Sequence, residues 1–254
     1  MKILVTGHKG FIGSNLMKSL QSEGHEVTGF EWKDNFPGYD FDTVMHLGAI
    51  SSTNEKNVDK ILEQNYEFSI WLVETCNKHG INFQYSSSAS VYGLGTDFSE
   101  DAPVDPKNPY AWSKYLFERY LKTKSFEITV QGFRYFNVYG NGEQHKTQPS
   151  PYEAFSRLPV IRLFTGSENI KRDFVSVDKV VKTHIEFLKV PESGVWNIGS
   201  GKATSFLEVA QSLNKPIEYI DMPDDLKLGY QYYTCADLTK LKNTMNKYSL
   251  TIPE

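Results

Sequence analysis

The sequence predicts a doubly wound parallel α/β fold, and three observations carry that prediction. Short apolar runs at 2–5, 26–31, 43–48, 81–85 and 128–134 alternate with longer segments whose apolar residues recur at helical spacing. The first run, Lys2-Ile-Leu-Val5, passes directly into Thr6-Gly7-His-Lys-Gly10-Phe-Ile-Gly13, a glycine-spaced turn that opens a helix. The second, Glu26-Val-Thr-Gly-Phe-Glu31, closes on an acid.

Each element follows from its residues. Gly7, Gly10 and Gly13 remove the side chains that would separate backbone from phosphate and helix from sheet, and the helix from Phe11 aims its unpaired N–H groups at an anion. This is the dinucleotide-binding Rossmann-type arrangement, in which Glu31 would accept hydrogen bonds from the adenosine ribose. That favours NAD over NADP, because an added phosphate would meet a like charge, with Lys33 opposing the preference. Between Glu31 and the strand at Thr43–Gly48 lie only the eleven residues Trp32 to Asp42, broken by Asn35-Phe-Pro-Gly38. That is too short for another strand and crossover helix. A direct link is expected, leaving the second strand at the sheet edge with one edge strand missing. The expectation is then either a weakly held dinucleotide, lost on dialysis, or an adenine walled by Trp32, Phe36 or Tyr39 stacked against the ring.

A helix is expected over 56–79, stopped at Gly80, with Asn65 on or beside its apolar stripe. The strand at 81–85 delivers Ser86-Ser-Ser-Ala-Ser-Val-Tyr92-Gly at its C-terminal end, where ligands bind in such sheets. A polar loop over 94–109 precedes a helix from Tyr110 to about Lys122, and a strand follows at Ile128–Arg134. Beyond Tyr139 the alternation loosens: a loop-rich stretch at 140–159, a strand at Val160–Phe164, and Val195–Gly201 leading into a helix at 205–213. The organisation expected is a dinucleotide domain over 1–138 and a smaller, interleaved α/β substrate domain over 139–254.

With 254 residues, 39% hydrophobic and 23% charged, the chain has ordinary globular composition. Its net charge of −4 supplies no basic field, so nucleic acid and anionic membrane are not expected partners. No segment approaches the ~20 apolar residues of a membrane helix, and a cytoplasmic location is the default expectation. Cys76 and Cys235 stand outside any ligand spacing and read as free thiols; no metal site is expected.

Tyr110-Ala-Trp-Ser-Lys114 puts a phenol and an ammonium one helical turn apart. Alcohol oxidation needs such a pair: a phenol near pKa ~10 is a poor base, and a neighbouring cation favours its phenolate. Lys114 would also reach the cofactor's ribose. Alone, Tyr-x-x-x-Lys on a helix usually means nothing; here a dinucleotide turn and a serine cluster accompany it.

With these blocks the chain resembles the extended short-chain dehydrogenase/reductase superfamily of sugar-nucleotide epimerases and dehydratases. The resemblance implies Ser88 as catalytic serine beside Tyr110 and Lys114. It implies Asn137 of Phe133-Arg-Tyr-Phe-Asn-Val-Tyr-Gly140 facing substrate, and Arg172 of Arg172-Asp-Phe-Val-Ser-Val-Asp178 on the nucleotide diphosphate. Leu47, Gly48, Ala49, Ser51, Asn65, Ile12, Trp32 and Val138 would line the nicotinamide cofactor. Within the superfamily, Arg134–Gly140 through His145-Lys146, Leu163–Val175 and Gly229–Leu238 are similar to the ADP-glycero-manno-heptose 6-epimerases, which act on the heptose of lipopolysaccharide inner core. That likeness implies Lys146 as a second base on the opposite sugar face, where composition alone makes it a solvated loop charge. Phe164, Ser167, Arg172 and Tyr230 would surround the ADP portion.

The chain departs from that group in the short segment after Glu31, in the short loop Thr147-Gln-Pro-Ser-Pro151, and in reaching Glu254 without the usual final helix. The expected activity is therefore a nucleotide-sugar epimerase using NAD or NADP. A 4-epimerase or reductase of the same superfamily and a non-catalytic dinucleotide-binding protein are the alternatives. Ser88-Ala-Ser90 lacks the carboxylates a dehydratase places there. Helices 56–79 and 110–122 correspond to the superfamily's usual dimer faces, so a homo-oligomer is expected.

Overall fold

Along the first strand, β1 (Lys2–Thr6), Ile3 and Val5 enter one apolar cluster and Leu4 the other, all three fully buried. This period of two marks a sheet covered on both faces. The computed structural model describes residues 1–143, 146, 148–227 and 230–253, with backbone alone at 225 and 226.

From β1 the chain runs through α1 (Phe11–Ser22), β2 (Glu26–Phe30), β3 (Thr43–His46), α2 (Val58–Leu62), α3 (Phe68–His79), β4 (Asn82–Ser88), α4 (Pro109–Lys122) and β5 (Val130–Tyr135). It continues through β6 (Asn137–Tyr139), α5 (Pro151–Ser156), β7 (Ile161–Phe164), β8 (Lys171–Ser176), α6 (Val177–Glu186), β9 (Gly194–Ile198) and β10 (Ala203–Ser205). The last elements are α7 (Phe206–Ser212), β11 (Ile217–Ile220), α8 (Asp224–Lys227) and α9 (Thr239–Lys247).

Six parallel strands form the main sheet in the order β2-β1-β3-β4-β5-β9. Strand order reverses at β1, so the crevice at the C-terminal ends of β1 and β3 is the place for a ligand. On one face Ile3, Val5, Met45 and Phe133 pack with Leu16, Leu20, Val180 and Val181 of α1 and α6. On the other, Leu4, Val44, Phe83 and Tyr85 pack with Leu72, Val73, Cys76 and Phe117 of α3 and α4. Two small sheets, β10-β8-β6 and β11-β7, stand beside this frame. The main sheet takes β9 from beyond residue 138, so the chain recrosses the boundary between its halves.

Residues 31–42 contain no strand or helix and β2 is the sheet edge, as the length of the link requires. The expected aromatic wall is only partly available. Trp32 stands against Phe68 at 5.0 Å, Phe36 against Trp71 at 5.2 Å, and Tyr39 stacks on His79 at 4.1 Å. The link thus descends alongside α3, from the C-terminal toward the N-terminal end of the sheet. Phe36 and Tyr39 are used in covering α3 below the crevice, and Trp32 alone of the three adjoins Glu31.

The helix expected over 56–79 is broken. Glu63–Glu67 forms a π-turn in which the Phe68 N–H donates to Glu63 O, five residues back, and Asn65 lies at its centre. Uniform helical spacing hid this turn because π-turns keep the chain helical while shifting its register. At the other end Gly80 closes α3 at φ +69°, the left-handed conformation that favours glycine. A closing helix, α9, buries Leu241 and Met245, where no helix was expected.

Candidate active site

The glycine turn is fixed by lack of space. A Cβ on Gly13 would lie 2.1 Å from Gly7 O, and one on Gly7 would lie 2.7 Å from Gly48 Cα and N. Turn, helix and the β3 exit are therefore in backbone contact. The first turn of α1 carries no capping side chain and no acid, leaving its N–H groups for an anion. A backbone cradle at the strand-order reversal, with an uncapped helix end, fits the pyrophosphate of a dinucleotide. Phe11 and Ile12 lie on this helix and pack against the core.

At the edge of the cradle, Glu31 Oε1 accepts the Lys9 N–H at 2.7 Å, and His8 Nδ1 lies 3.3 Å from the same oxygen. A second acid, which sequence reasoning missed, joins it: Asp34 Oδ2 accepts the Glu31 N–H at 3.0 Å. Its signal was the turn Glu31-Trp-Lys-Asp34, closed by Asp34 N–H to Glu31 O at 3.0 Å with Lys33 at φ +79°. Leu47, Gly48, Ala49 and Ser51 leave β3 beside Gly7, held by Leu47 N–H to Thr6 O at 3.2 Å and Gly48 N–H to Thr6 Oγ1 at 3.0 Å. Asn65 clamps this exit, accepting the Ile50 N–H at 2.8 Å and donating to Ile50 O at 2.9 Å. Val138 is a core side chain in β6.

The serine strand and α4 bring Ser88, Tyr110 and Lys114 together. Asn108 caps α4 by accepting the Ala111 N–H, with Pro109 in the first turn, so Tyr110 and Lys114 sit where the helix starts. Ser88 accepts from Ser90 Oγ at 2.8 Å, and its hydroxyl acts on the Tyr110 phenol. Lys114 Nζ donates to Ser86 O at 2.9 Å and Ser86 Oγ at 3.2 Å, and stands 6.0 Å from the Tyr110 ring centroid. Burial pushes the Tyr110 phenol up, with Ser88 opposing. The expected lowering by Lys114 is absent, because the ammonium is turned to the β4 backbone. Lys114 itself is pushed down to about 8 by desolvation, with Glu118 opposing.

Beneath these residues a buried polar group pins α4 to the sheet. Glu118 accepts from Ser87 Oγ at 2.5 Å and from Arg134 at 2.6 and 3.1 Å; Arg134 also donates to the Tyr92 hydroxyl at 3.0 Å. Sequence reasoning missed Glu118, although it lies one turn beyond Lys114 on the same helix face.

Lys146 approaches from the opposite chain segment. Its Nζ lies 4.9 Å from the centroid of the Phe11 ring, at the mouth of the glycine turn, and 3.8 Å from Glu143 Oε2. Burial lowers its pKa, with Glu143 opposing. Glu143, another residue missed, is 2% exposed and accepts the Gly140 N–H at 3.1 Å, the Ser150 N–H at 2.7 Å and the Ser150 hydroxyl at 2.7 Å. One carboxylate therefore closes the 140–150 loop. His145 and Thr147, named with Lys146 in the sequence, and Gly229 lie outside the described residues.

On the side of the small sheets, Arg172 projects between Phe206 and Tyr230, 5.6 and 5.7 Å from their centroids, and donates to the backbone carbonyls of Lys171 and Gln231. Phe164 meets Tyr230 edge-on at 6.2 Å. Ser167 is 1% exposed with no partner for its hydroxyl among the described residues. Asn137 is exposed at the start of β6. Thr165, Gly166, Asp221, Met222, Lys227 and Tyr232 border a cavity of about 710 Å³ adjoining this group.

The comparisons agree with this geometry. Residues 3–38 and 30–199 match the NAD dependent epimerase/dehydratase family. An ADP-L-glycero-D-manno-heptose-6-epimerase of Brachyspira hyodysenteriae is 36% identical over 287 residues, covering 94% of this chain and 90% of that protein. The structure of the Helicobacter pylori ADP-L-glycero-D-manno-heptose-6-epimerase superposes with a TM-score of 0.84 at 25% identity, over 97% of this chain and 90% of that one. A Thermus thermophilus UDP-glucose 4-epimerase in complex with NAD gives a TM-score of 0.81 at 25% identity, over 98% and 93%. Fold, cradle and relatives converge, and the chain belongs to the NAD dependent epimerase/dehydratase family.

Proposed function

We propose that this chain is a nucleotide-sugar epimerase of the ADP-glycero-manno-heptose 6-epimerase type, inverting a carbinol carbon of its substrate, as in supply of heptose for lipopolysaccharide. The observation that carries the reading is the grouping of Ser88, Tyr110 and Lys114 at the end of β4, with Lys146 entering over Phe11. The 36% identity to a heptose 6-epimerase supports the sugar.

A nicotinamide dinucleotide, held by Gly7, Gly10 and Gly13 and by Glu31 at the ribose, would take up hydride from the carbinol carbon and return it to the other face. Glu31 and Asp34 together favour NAD, since a ribose phosphate would face two carboxylates. Tyr110 Oη accepts the hydroxyl proton on one face while Ser88 Oγ orients the same oxygen. Lys114 then has to leave Ser86 for the ribose and the phenolate, which its donors allow. The inverted hydroxyl points away from Tyr110, so a second group must hold its proton, and Lys146 Nζ is that group. Arg172, Phe164, Tyr230 and the unpartnered Ser167 hydroxyl receive the ADP portion, and Asn137 faces the sugar. Assembly as a homo-oligomer through α3 and α4 belongs to the same reading; Trp71 and Trp112 are exposed there. Among the described residues no helix is long and apolar enough to cross a membrane.

The test is proton NMR of the protein with ADP-, UDP- and GDP-sugars. Epimer formation from ADP-heptose is expected, with turnover falling ~10²- to 10⁴-fold in Tyr110→Phe and dinucleotide binding kept. Turnover of Tyr110→Phe near that of the parent would remove the assignment, and inversion of a UDP-hexose alone would move it to the 4-epimerases.

A further inference from the structure

Under the glycine turn a string of buried polar side chains runs from the dinucleotide cradle to the catalytic helix. The Gly48 N–H donates to Thr6 Oγ1 at 3.0 Å, and Thr6 Oγ1 lies 2.7 Å from His46 Nδ1. His46 Nε2 lies 2.9 Å from Ser69 Oγ, which donates to the carbonyl of Asn65 at 2.7 Å. Asn65, at the centre of the π-turn, grips Ile50 and donates to Ser113 Oγ at 3.0 Å; Ser113 donates in turn to Tyr110 O at 2.7 Å. Thr6, His46, Ser69, Asn65 and Ser113 are each no more than 3% exposed.

The hydrogens in this string have one arrangement. A carbonyl only accepts, so the Ser69 hydrogen goes to Asn65 O, and Ser69 Oγ must accept from the ring. His46 therefore carries its hydrogen on Nε2. A neutral imidazole has a single N–H, which leaves Nδ1 bare to accept the Thr6 hydroxyl, while Thr6 accepts from Gly48. Phe68 and Phe83 flank the ring at 5.7 and 5.9 Å, no carboxylate among the described residues bonds it, and the Lys114 charge opposes protonation. The same π-turn that breaks the helix after α2 aims the Asn65 amide at Ile50 and Ser113.

We propose that His46 is a positioning residue for the dinucleotide: fixed as its Nε2–H tautomer, it holds the 47–51 turn against Gly7 and ties that turn through Ser69 and Asn65 to the helix of Tyr110. The proposal rests on the 7–51 region being a dinucleotide site, not on the identity of the sugar. It makes the catalytic tyrosine and the cofactor turn parts of one hydrogen-bonded frame rather than two loops in separate motion. Each break in the frame leaves a buried donor or acceptor unpaired, so the strain falls on the turn that meets the cofactor.

Nitrogen-15 NMR of the full chain, with His46 assigned by loss of its signals in His46→Gln, is expected to show the Nε2–H form alone from pH 8 to pH 5. Ser69→Ala and Thr6→Val are each expected to weaken NAD binding, measured by calorimetric titration, about tenfold. Ser69→Ala should also lose the single-tautomer signature. Ser69→Thr and Thr6→Ser, which keep the hydroxyls, should restore both. A Nδ1–H or charged imidazole in the parent overturns the proposal. So does a loss of urea stability in Ser69→Ala with NAD affinity unchanged, the result of a merely structural role. Failure of the parent to bind either NAD or NADP overturns it together with the cofactor reading, whereas turnover surviving in Tyr110→Phe overturns only the proposed activity.

Discussion

The glycine turn at 7–13 and the 140–150 loop both border the same crevice, and they are held by opposite means. In the turn, backbone touches backbone, with no room for a Cβ at Gly7 or Gly13. In the loop, one buried carboxylate, Glu143, gathers the Gly140 N–H and both donors of Ser150, and Lys146 extends from that clasp. Steric exclusion thus fixes the glycine-turn side whatever the side chains do, while the side that carries Lys146 depends on one residue's hydrogen bonds.

The largest effect is expected at Gly13. Gly13→Ala forces a methyl into Gly7 O, and dinucleotide affinity measured by titration should fall ~10²-fold or more. An alanine variant that binds normally would show the cradle to be less rigid than its contacts imply.

Next comes the clasp. Lys146→Met should lower epimerisation by ~10²-fold with dinucleotide affinity unchanged, since the proposed second base is removed and nothing in the cradle moves. Glu143→Ala should reproduce part of that loss and cost about 2 kcal/mol of stability, because buried N–H donors lose their acceptor. If Glu143→Ala weakens NAD binding as strongly as turnover, the two regions are not separate devices.

A third effect, on stability alone, is set by pH. Burial holds His46 and His184 down to about 3. Below pH 6.5 the unfolded chain binds protons that the folded chain refuses, so their contribution is complete above 6.5 and is lost as pH falls toward 3. The slope is about 1.4 kcal/mol per pH unit for each histidine, measurable by urea unfolding at pH 7 and pH 5. A flat response would show these rings charged or exposed in the native state.

The smallest effect is expected at Trp32. Phe68 supports its ring at 5.0 Å, and Trp32→Ala should raise the NAD dissociation constant by about threefold, as one partly exposed contact at the rim allows. Phe36→Ala and Tyr39→Ala, whose rings cover α3, should change stability and leave NAD affinity alone.

Much of this was legible in the sequence because it depends on local chemistry. The spacing Gly7, Gly10, Gly13 allows one kind of turn after a buried strand; eleven residues between Glu31 and Thr43 cannot hold a strand and a crossover helix, so β2 had to be an edge; a phenol and an ammonium four residues apart share a helix face wherever that helix lies. What escaped were groups whose roles come from partners distant in sequence. Glu118 reads as a surface acid until Arg134 and Ser87 are found on it, and Glu143 as a loop acid until Ser150 closes back. The pKa of Tyr110 went the other way from expectation because spacing revealed its neighbour Lys114 but not the desolvation of the phenol or the Ser86 carbonyl that holds the ammonium.

The strands and helices as far as β5, apart from the π-turn, and the glycine turn after β1 could be read from the sequence, and it supplied the candidates for the reacting side chains, since backbone sterics and side-chain chemistry are properties of a short stretch of chain. Only the tertiary structure decided which carboxylates are buried, that the helix before α3 passes through a π-turn at Asn65, and which proton His46 keeps. Those depend on desolvation and on hydrogen-bond partners from other strands and helices, and no residue carries that information until the chain has folded around it.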